Sequence, residues 1–287
     1  MKQFQIPQRL YRDDVRLSII GLGGMLLVGM EQTDANKIVM EALDRGVNYF
    51  DVSPFYGDGE AEEKMGLALR SHRKEIFLSC KTLERTAREA LRELTQSLHQ
   101  LHSDYFDLYQ FHAVSSLQDV EEIFAPRGAM EAFLRAKKEG KIRYVGFSAH
   151  SVDAAMAMMD HFRFDSILFP VNFINYARGN FGPQVLAKAE EQGVACLAIK
   201  AMAHGPWRKN DERNYPNCWY RPIDDRDLAR KALRFTLSEK VTATIPPGDE
   251  RLFRMALELA PELTPMTPIE RQELLHSAQR LRPLMKY

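Results

Sequence analysis

The stretch DRGVNYFDVS, Asp44 to Ser53, carries the signals from which the architecture follows. Gly46 suits the left-handed position that ends a helix, and a short apolar strand begins within two residues of it. The same grammar returns in KEGKIRYVGFS from Lys138, with Gly140, and in EQGVACLAIK from Glu191, with Gly193. An αβ unit therefore recurs. Before Gly46, Ala35, Ile38, Val39, Ala42 and Leu43 share one helical face, and Ala87, Ala90, Leu91, Leu94, Leu98 and Leu101 form a second. Thr86 and Glu89 have the spacing of a capping box opening that second helix.

The strands are continuously apolar rather than alternating, which predicts burial on both faces and hence a parallel sheet covered by helices. They read SIIGLGG, NYFDVS, EIFLSCK, DYFDLYQFH, IRYVGFS, SILFPVNF, VACLAIK and VTATIPPG. Eight strands alternating with helices predict an α/β fold, a closed (β/α)8 TIM barrel, with an open doubly wound sheet as the alternative. The 287 residues fit one such domain, 1–287, and no linker divides them. Two segments exceed an ordinary connection. Ala203 to Asp225 holds both tryptophans, Trp207 and Trp219, with Tyr215 and Tyr220, and reads as a substrate-covering loop. Near the carboxyl end, Thr267, Pro268 and Glu270 supply the cap, first-turn proline and capping-box acid of an extra C-terminal helix, expected to close the barrel or its edge.

Lysine plus arginine and aspartate plus glutamate stand at 39 each, which argues against nucleic acid or an anionic membrane as partner. The first residues have no apolar core of an export signal, and no run approaches the roughly 18 apolar residues of a membrane helix. Cys80, Cys196 and Cys218 follow no metal-ligand spacing and fit a reducing cytoplasm. Cys80 should point away from the Lys81 side of its strand, and Cys218, in the aromatic loop, is expected at the surface. His99 and His102 lack acidic or cysteine partners and read as a solvated helix end, so no metal site is expected.

Chemistry concentrates at one rim. In a barrel the site lies at the carboxyl ends of the strands, where Asp51, Lys81 and His112 end the second, third and fourth. Tyr56 follows on the loop after Asp51, in FDVSPFYGDGEAEEKMG, Phe50 to Gly66. A free tyrosine titrates near 10. A neighbouring ammonium favours its phenolate, and a carboxylate fixes that ammonium. An imidazole at the same point can donate to a carbonyl oxygen on which charge develops. Phenol, ammonium, carboxylate and imidazole together read as reduction of a carbonyl by hydride from a nicotinamide. Each residue also has a plainer reading: Asp51 as a turn cap, Lys81 snorkelling, His112 in the core, Tyr56 packing.

Over nearly its whole length, from YRDDVRLSIIGLGGM to the PPG after the last strand, the chain resembles the aldo-keto reductases, with a DxxxxYGxxE-type stretch as the specific motif. The resemblance implies a catalytic set of Asp51, Tyr56, Lys81 and His112, with Tyr56 as general acid. It implies an extended nicotinamide cofactor without a Rossmann domain. Leu26 stands where a third fingerprint glycine would. The cofactor residues it suggests are Gly23, Gly24, Met25, Ser148, Asn172, Lys200, Gly248, Asp249, Arg251 and Arg254, with NADP(H) ahead of NAD(H). Ala149 replaces a usual asparagine, Asn172 a usual glutamine, and no aromatic residue stands at Ile199, Lys200 or Ala201 to stack on the nicotinamide. Phe55, Trp207 and Trp219 are expected around a small-molecule carbonyl substrate. Two other functions compete: a nicotinamide-binding regulatory subunit with little turnover, and a barrel lyase using Lys81 as a Schiff-base amine.

Overall fold

The computed structural model describes residues 5–287. Residues 1–4, the start of the expected 1–287 domain and of the stretch read for export signals, lie outside it. In chain order the strands are β1 (Gln8–Arg12), β2 (Val15–Ser18), β3 (Leu22–Gly23), β4 (Tyr49–Asp51), β5 (Phe77–Thr82), β6 (Phe106–Val114), β7 (Ile142–Ala149), β8 (Ser166–Pro170), β9 (Ala195–Ile199), β10 (Ala203–Gly205), β11 (Arg221–Pro222) and β12 (Val241–Ile245). The helices are α1 (Gln32–Asp44), α2 (Glu60–Leu69), α3 (Ala87–Gln100), α4 (Leu117–Phe124), α5 (Ala129–Lys138), α6 (Val152–His161), α7 (Phe173–Gly179), α8 (Pro183–Gln192), α9 (Arg226–Ser238), α10 (Glu250–Leu259) and α11 (Pro268–Ser277).

Eight strands form one sheet in the order β12-β9-β8-β7-β6-β5-β4-β3, every pair parallel. Its two edges meet where Gly21 N–H donates to Thr244 O at 3.0 Å and Thr244 N–H to Ile19 O at 2.9 Å. The sheet is a closed barrel, and each apolar segment quoted above supplies one of its strands. Gly46, Gly140 and Gly193 all have positive φ, at 84°, 74° and 66°, turning a helix end into the next strand as their spacing requires.

Inside the barrel Tyr49, Phe77, Leu108, Leu168, Leu197 and Ala243 interdigitate, with Tyr11 and Leu17 of the β1–β2 hairpin inserted beneath them. Tyr11 meets Phe77 edge-on at 5.1 Å, and its hydroxyl donates to Ser166 Oγ at 3.0 Å. The hairpin is thus the barrel floor. The α11 helix, which was expected to close the barrel or its edge, lies on the flank: Arg234 pairs with Glu270 and Arg271 with Glu239, both at 2.7 Å. Its capping box, Thr267 with Glu270, is complete. At α3 only half of the expected box forms, because the Glu89 carboxylate meets the Thr86 hydroxyl instead of the Thr86 backbone N–H.

Within the Phe50–Gly66 stretch, Gly66 answers to a close approach. A Cβ there would lie 2.5 Å from Gln100 O and 2.7 Å from Leu101 Cα, so only glycine lets α2 rest on the end of α3. The long loop is pinched at its base by the β10–β11 pair and internally by Trp207 Nε1 donating to Cys218 O at 2.8 Å. Cys218 is consequently buried, not at the surface as expected. Among the described residues no helix is long and apolar enough to cross a membrane, and all three cysteines are free.

Candidate active site

Alternation along β5 and β6 turns Ser79, Lys81, Gln110 and His112 to the same side, and β4 ends on Asp51 beside them. Lys81 Nζ binds Asp51 Oδ1, donates to Val52 O at 3.2 Å and stands 3.2 Å from the Tyr56 hydroxyl. The other Asp51 oxygen accepts from Ser79 Oγ at 3.0 Å and Gln110 Nε2 at 3.2 Å. Both partners of the ion pair are almost wholly buried, which is tolerable because the lone pairs and ammonium hydrogens find further partners. Burial alone would depress the Lys81 ammonium, but Asp51 and Tyr56 outweigh it and hold its pKa above the ordinary value. For Tyr56, burial raises the phenol pKa, and the opposing pull of Lys81 does not fully cancel it. The net direction leaves the phenol protonated at rest.

His112 sits at a bulge. The β6–β7 register shifts between Phe111 and Val114, and Ala113 adopts φ 54°, a left-handed conformation unusual for a residue with a side chain. Ala113 N–H donates to Ser148 Oγ at 2.8 Å, anchoring the bulge. Ser53 Oγ accepts from Phe55 N–H at 3.3 Å and lies 3.1 Å from His112 Nδ1; in the tautomer in which the hydroxyl donates to Nδ1, Nε2 carries the ring proton. Burial, then the positive charge of Lys81, pushes the His112 pKa down to about 2, which keeps the ring neutral. The Tyr56 ring meets it edge-on at 5.8 Å.

These groups open into a cavity of about 540 Å³ that also includes Phe55, Leu83, Ser148, His150, Lys200 and Trp219. A narrower groove of about 120 Å³ leads from Asp51 and Tyr56 past Gly23, Met25, Ile199 and Lys200 to Pro247 and Gly248. Asn217 Nδ2 crosses it, donating to Met25 O at 3.1 Å and Val28 O at 2.9 Å. Beyond Gly248, Asp249 caps α10 and pairs with Arg251 at 2.9 Å, while Arg254 pairs with Glu41 at 2.9 Å. A larger hollow of about 710 Å³ lies on the outer wall between α3 and α5, away from every group with the chemistry described here.

Some residues expected from the sequence stand elsewhere. Asn172 lines neither mouth cavity: its amide donates to Ala203 O at 2.7 Å and Lys200 O at 3.1 Å, and its Oδ1 caps α7. Gly24 is packed under the groove, where a Cβ would lie 2.8 Å from Val52 Cγ2. Trp207 braces the loop from within. Trp219 is 62% exposed and stands over Lys200 Nζ at 5.5 Å, on the boundary between cavity and groove. Ser53, Ser79, Gln110 and His150 escaped the sequence reading. Ser79 and Gln110 were marked only by lying two residues before Lys81 and His112 on inward-facing positions. Among the described residues no cluster of ligating side chains is arranged for a metal, and His99 and His102 are both exposed.

Comparison with known proteins identifies the family and the fold. The model of the Aldo/keto reductase family matches residues 19–245. The "Uncharacterized oxidoreductase YqkF" of Bacillus subtilis is 34% identical over 154 residues, 50% of this chain and 48% of that protein. The chain thus spans about half the length of the curated relatives it matches. Among solved structures, aldo-keto reductase AKR11C1 from Bacillus halodurans superposes with a TM-score of 0.76 at 23% identity, covering 99% of this chain and 98% of that one. An aldo-keto reductase from Klebsiella pneumoniae in complex with NADPH gives 0.70 at 19% identity, covering 100% and 98%.

Proposed function

The chain belongs to the aldo/keto reductase family, and from that premise we propose that it reduces an aldehyde or ketone to the alcohol with NAD(P)H, Tyr56 delivering the proton. The observation that carries this reading is the line of Asp51, Lys81 Nζ and the Tyr56 hydroxyl, the last contact at 3.2 Å, opening into one cavity with His112.

The groove suits an extended dinucleotide. Gly23 and Gly248 leave its walls without side chains, Ile199 and Trp219 offer apolar surface beside Tyr56, and Arg251 and Arg254 stand near its far end. Trp219 would supply from the loop the aromatic face that residues 199–201 lack. The Ser148 hydroxyl, accepting from Ala113, keeps its hydrogen for a carboxamide oxygen. When bound, the nicotinamide supplies the hydride that adds to the carbonyl carbon.

The protein's own groups handle the oxygen. His112 Nε2–H directs a hydrogen bond toward it and, being neutral, takes no proton away. Tyr56 gives its proton to the oxygen as charge builds there, and the tyrosinate left behind is held by the Lys81 ammonium. Asp51 keeps that ammonium charged. Both arginines at the groove end favour NADP(H), by offering guanidinium groups to a 2′-phosphate, although each now pairs with a carboxylate.

The test is Tyr56→Phe assayed by NADPH and NADH oxidation over a panel of aldehydes. Loss of a general acid should lower kcat by about 10²- to 10⁴-fold while cofactor binding, followed by fluorescence, persists. Undiminished turnover in that variant would overturn the assignment.

A further inference from the structure

Lys200 is the odd group at this mouth. It follows the last residue of β9 in the left-handed region, φ 64°, and is 5% exposed. Its ammonium has no carboxylate within ion-pair distance among the described residues, and its side-chain hydrogen-bond partner is His150 Nε2 at 3.1 Å. A buried ammonium facing an imidazole is a poorly compensated charge. Burial brings the Lys200 pKa down to about 7, and burial with Lys200 brings that of His150 to about 3.

Its surroundings indicate what is missing. Lys200 borders both the groove and the larger cavity, but His150 borders only the cavity, so the charged end lies on the substrate side. That cavity holds Lys81, His112, His150 and Lys200 in its wall and no acidic side chain. Lys81 is already neutralised by Asp51. Lys200 is the remaining cation, and Trp219 above it screens it from water.

We infer that Lys200 and His150 form a recognition site for an anionic group, a carboxylate or a phosphate, carried by the substrate. The inference rests on the reductase reading for the carbonyl and adds the second feature of the substrate. An anion entering the cavity completes the ion pair that Lys200 lacks, and its distance from Tyr56 selects the chain length of the oxo compound.

The experiment compares kcat/KM for the 2-, 3- and 4-carboxybenzaldehydes with that for the matching formylbenzamides, with 4-formylphenyl phosphate as the phosphate arm. Wild-type protein should prefer at least one anionic member by about tenfold or more. That ratio should collapse toward one in Lys200→Met and partly return in Lys200→Arg. Calorimetric titration of wild type and Lys200→Met with benzoate and benzamide, with NADP+ present, reads the same site without turnover. Benzoate should bind the wild type more tightly than benzamide and lose that advantage in the variant. A ratio near one in the wild type, or a preference that survives Lys200→Met, overturns the inference. So does a variant whose NADPH affinity falls by the factor lost on the anionic aldehyde, since the anion would then be the cofactor's own. If no aldehyde is reduced while benzoate still selects Lys200, the reductase reading fails and the anion site stands.

Discussion

Lys81 Nζ lies 3.2 Å from the Tyr56 hydroxyl with its opposite side bound to Asp51, so the phenol's electrostatics depend on a carboxylate it does not touch. Replacing Asp51 with Asn leaves a buried ammonium without its counter-charge. The expected cost is about 3–5 kcal/mol of stability, measured by denaturant unfolding, together with a fall in kcat. Equal unfolding midpoints for variant and wild type would contradict this account of the pair.

The pH profile follows from the directions of the shifts. The Tyr56 pKa is raised above its ordinary value, so the donating form persists as pH rises, and loss of activity belongs above about 10. His112, at about 2, stays neutral throughout. Lys200, near 7, titrates within the working range, but a neutral aldehyde does not engage it. Reduction of a neutral aldehyde should therefore be flat between pH 6 and 9 at saturating cofactor. A limb near pH 6.5 that persists in Lys200→Met would show that His112 titrates.

Ser53 Oγ lies 3.1 Å from His112 Nδ1, and in the proposed reaction it would position the imidazole from the side away from the carbonyl. Ser53→Ala frees the ring and its tautomer, and kcat should drop by about 10- to 100-fold with KM little changed. A rise in KM at constant kcat would instead mark Ser53 as a binding group.

Asn217 ties the long loop across the groove with two hydrogen bonds, to Met25 O and Val28 O. Without them, in Asn217→Ala, the loop should open more readily. Stopped-flow fluorescence should then find NADPH leaving about 5- to 150-fold faster, the range that two hydrogen bonds of about 0.5–1.5 kcal/mol each imply.

Gly66→Ala should cost about 1–3 kcal/mol in chemical denaturation, because the added methyl meets backbone on the end of α3 instead of a side chain free to move. Its catalytic constants per folded molecule should match the wild type.

The barrel was legible because its strands are continuously apolar runs alternating with amphipathic helices, and in three units a helix-ending glycine, Gly46, Gly140 or Gly193, lies just before the run. Asp51, Lys81 and His112 could be read together because parallel neighbouring strands bring their carboxyl ends to one rim whatever the intervening sequence. Asn172 was less legible. Its amide chemistry suits a ligand, but three carbonyls of the Lys200–Ala203 turn claim it, and that turn is written nearly thirty residues later. The two tryptophans of the loop look alike in sequence. A single hydrogen bond to Cys218 O draws Trp207 inward, while Trp219 is left over the mouth. The Lys200–His150 contact joins residues 50 apart, and neither position announces the other.

The hairpin beneath the barrel has a consequence for traffic. With Tyr11 and Leu17 filling the floor and aromatic rings stacked above them, the barrel axis is a blind well rather than a conduit. Substrate, product, solvent and the proton that restores Tyr56 must all pass the same rim, beside Trp219 and under the Asn217 tie. In the proposed reaction all of this traffic would share one doorway, so any change in the loop that carries Asn217 and Trp219 would bear on every one of these passages at once.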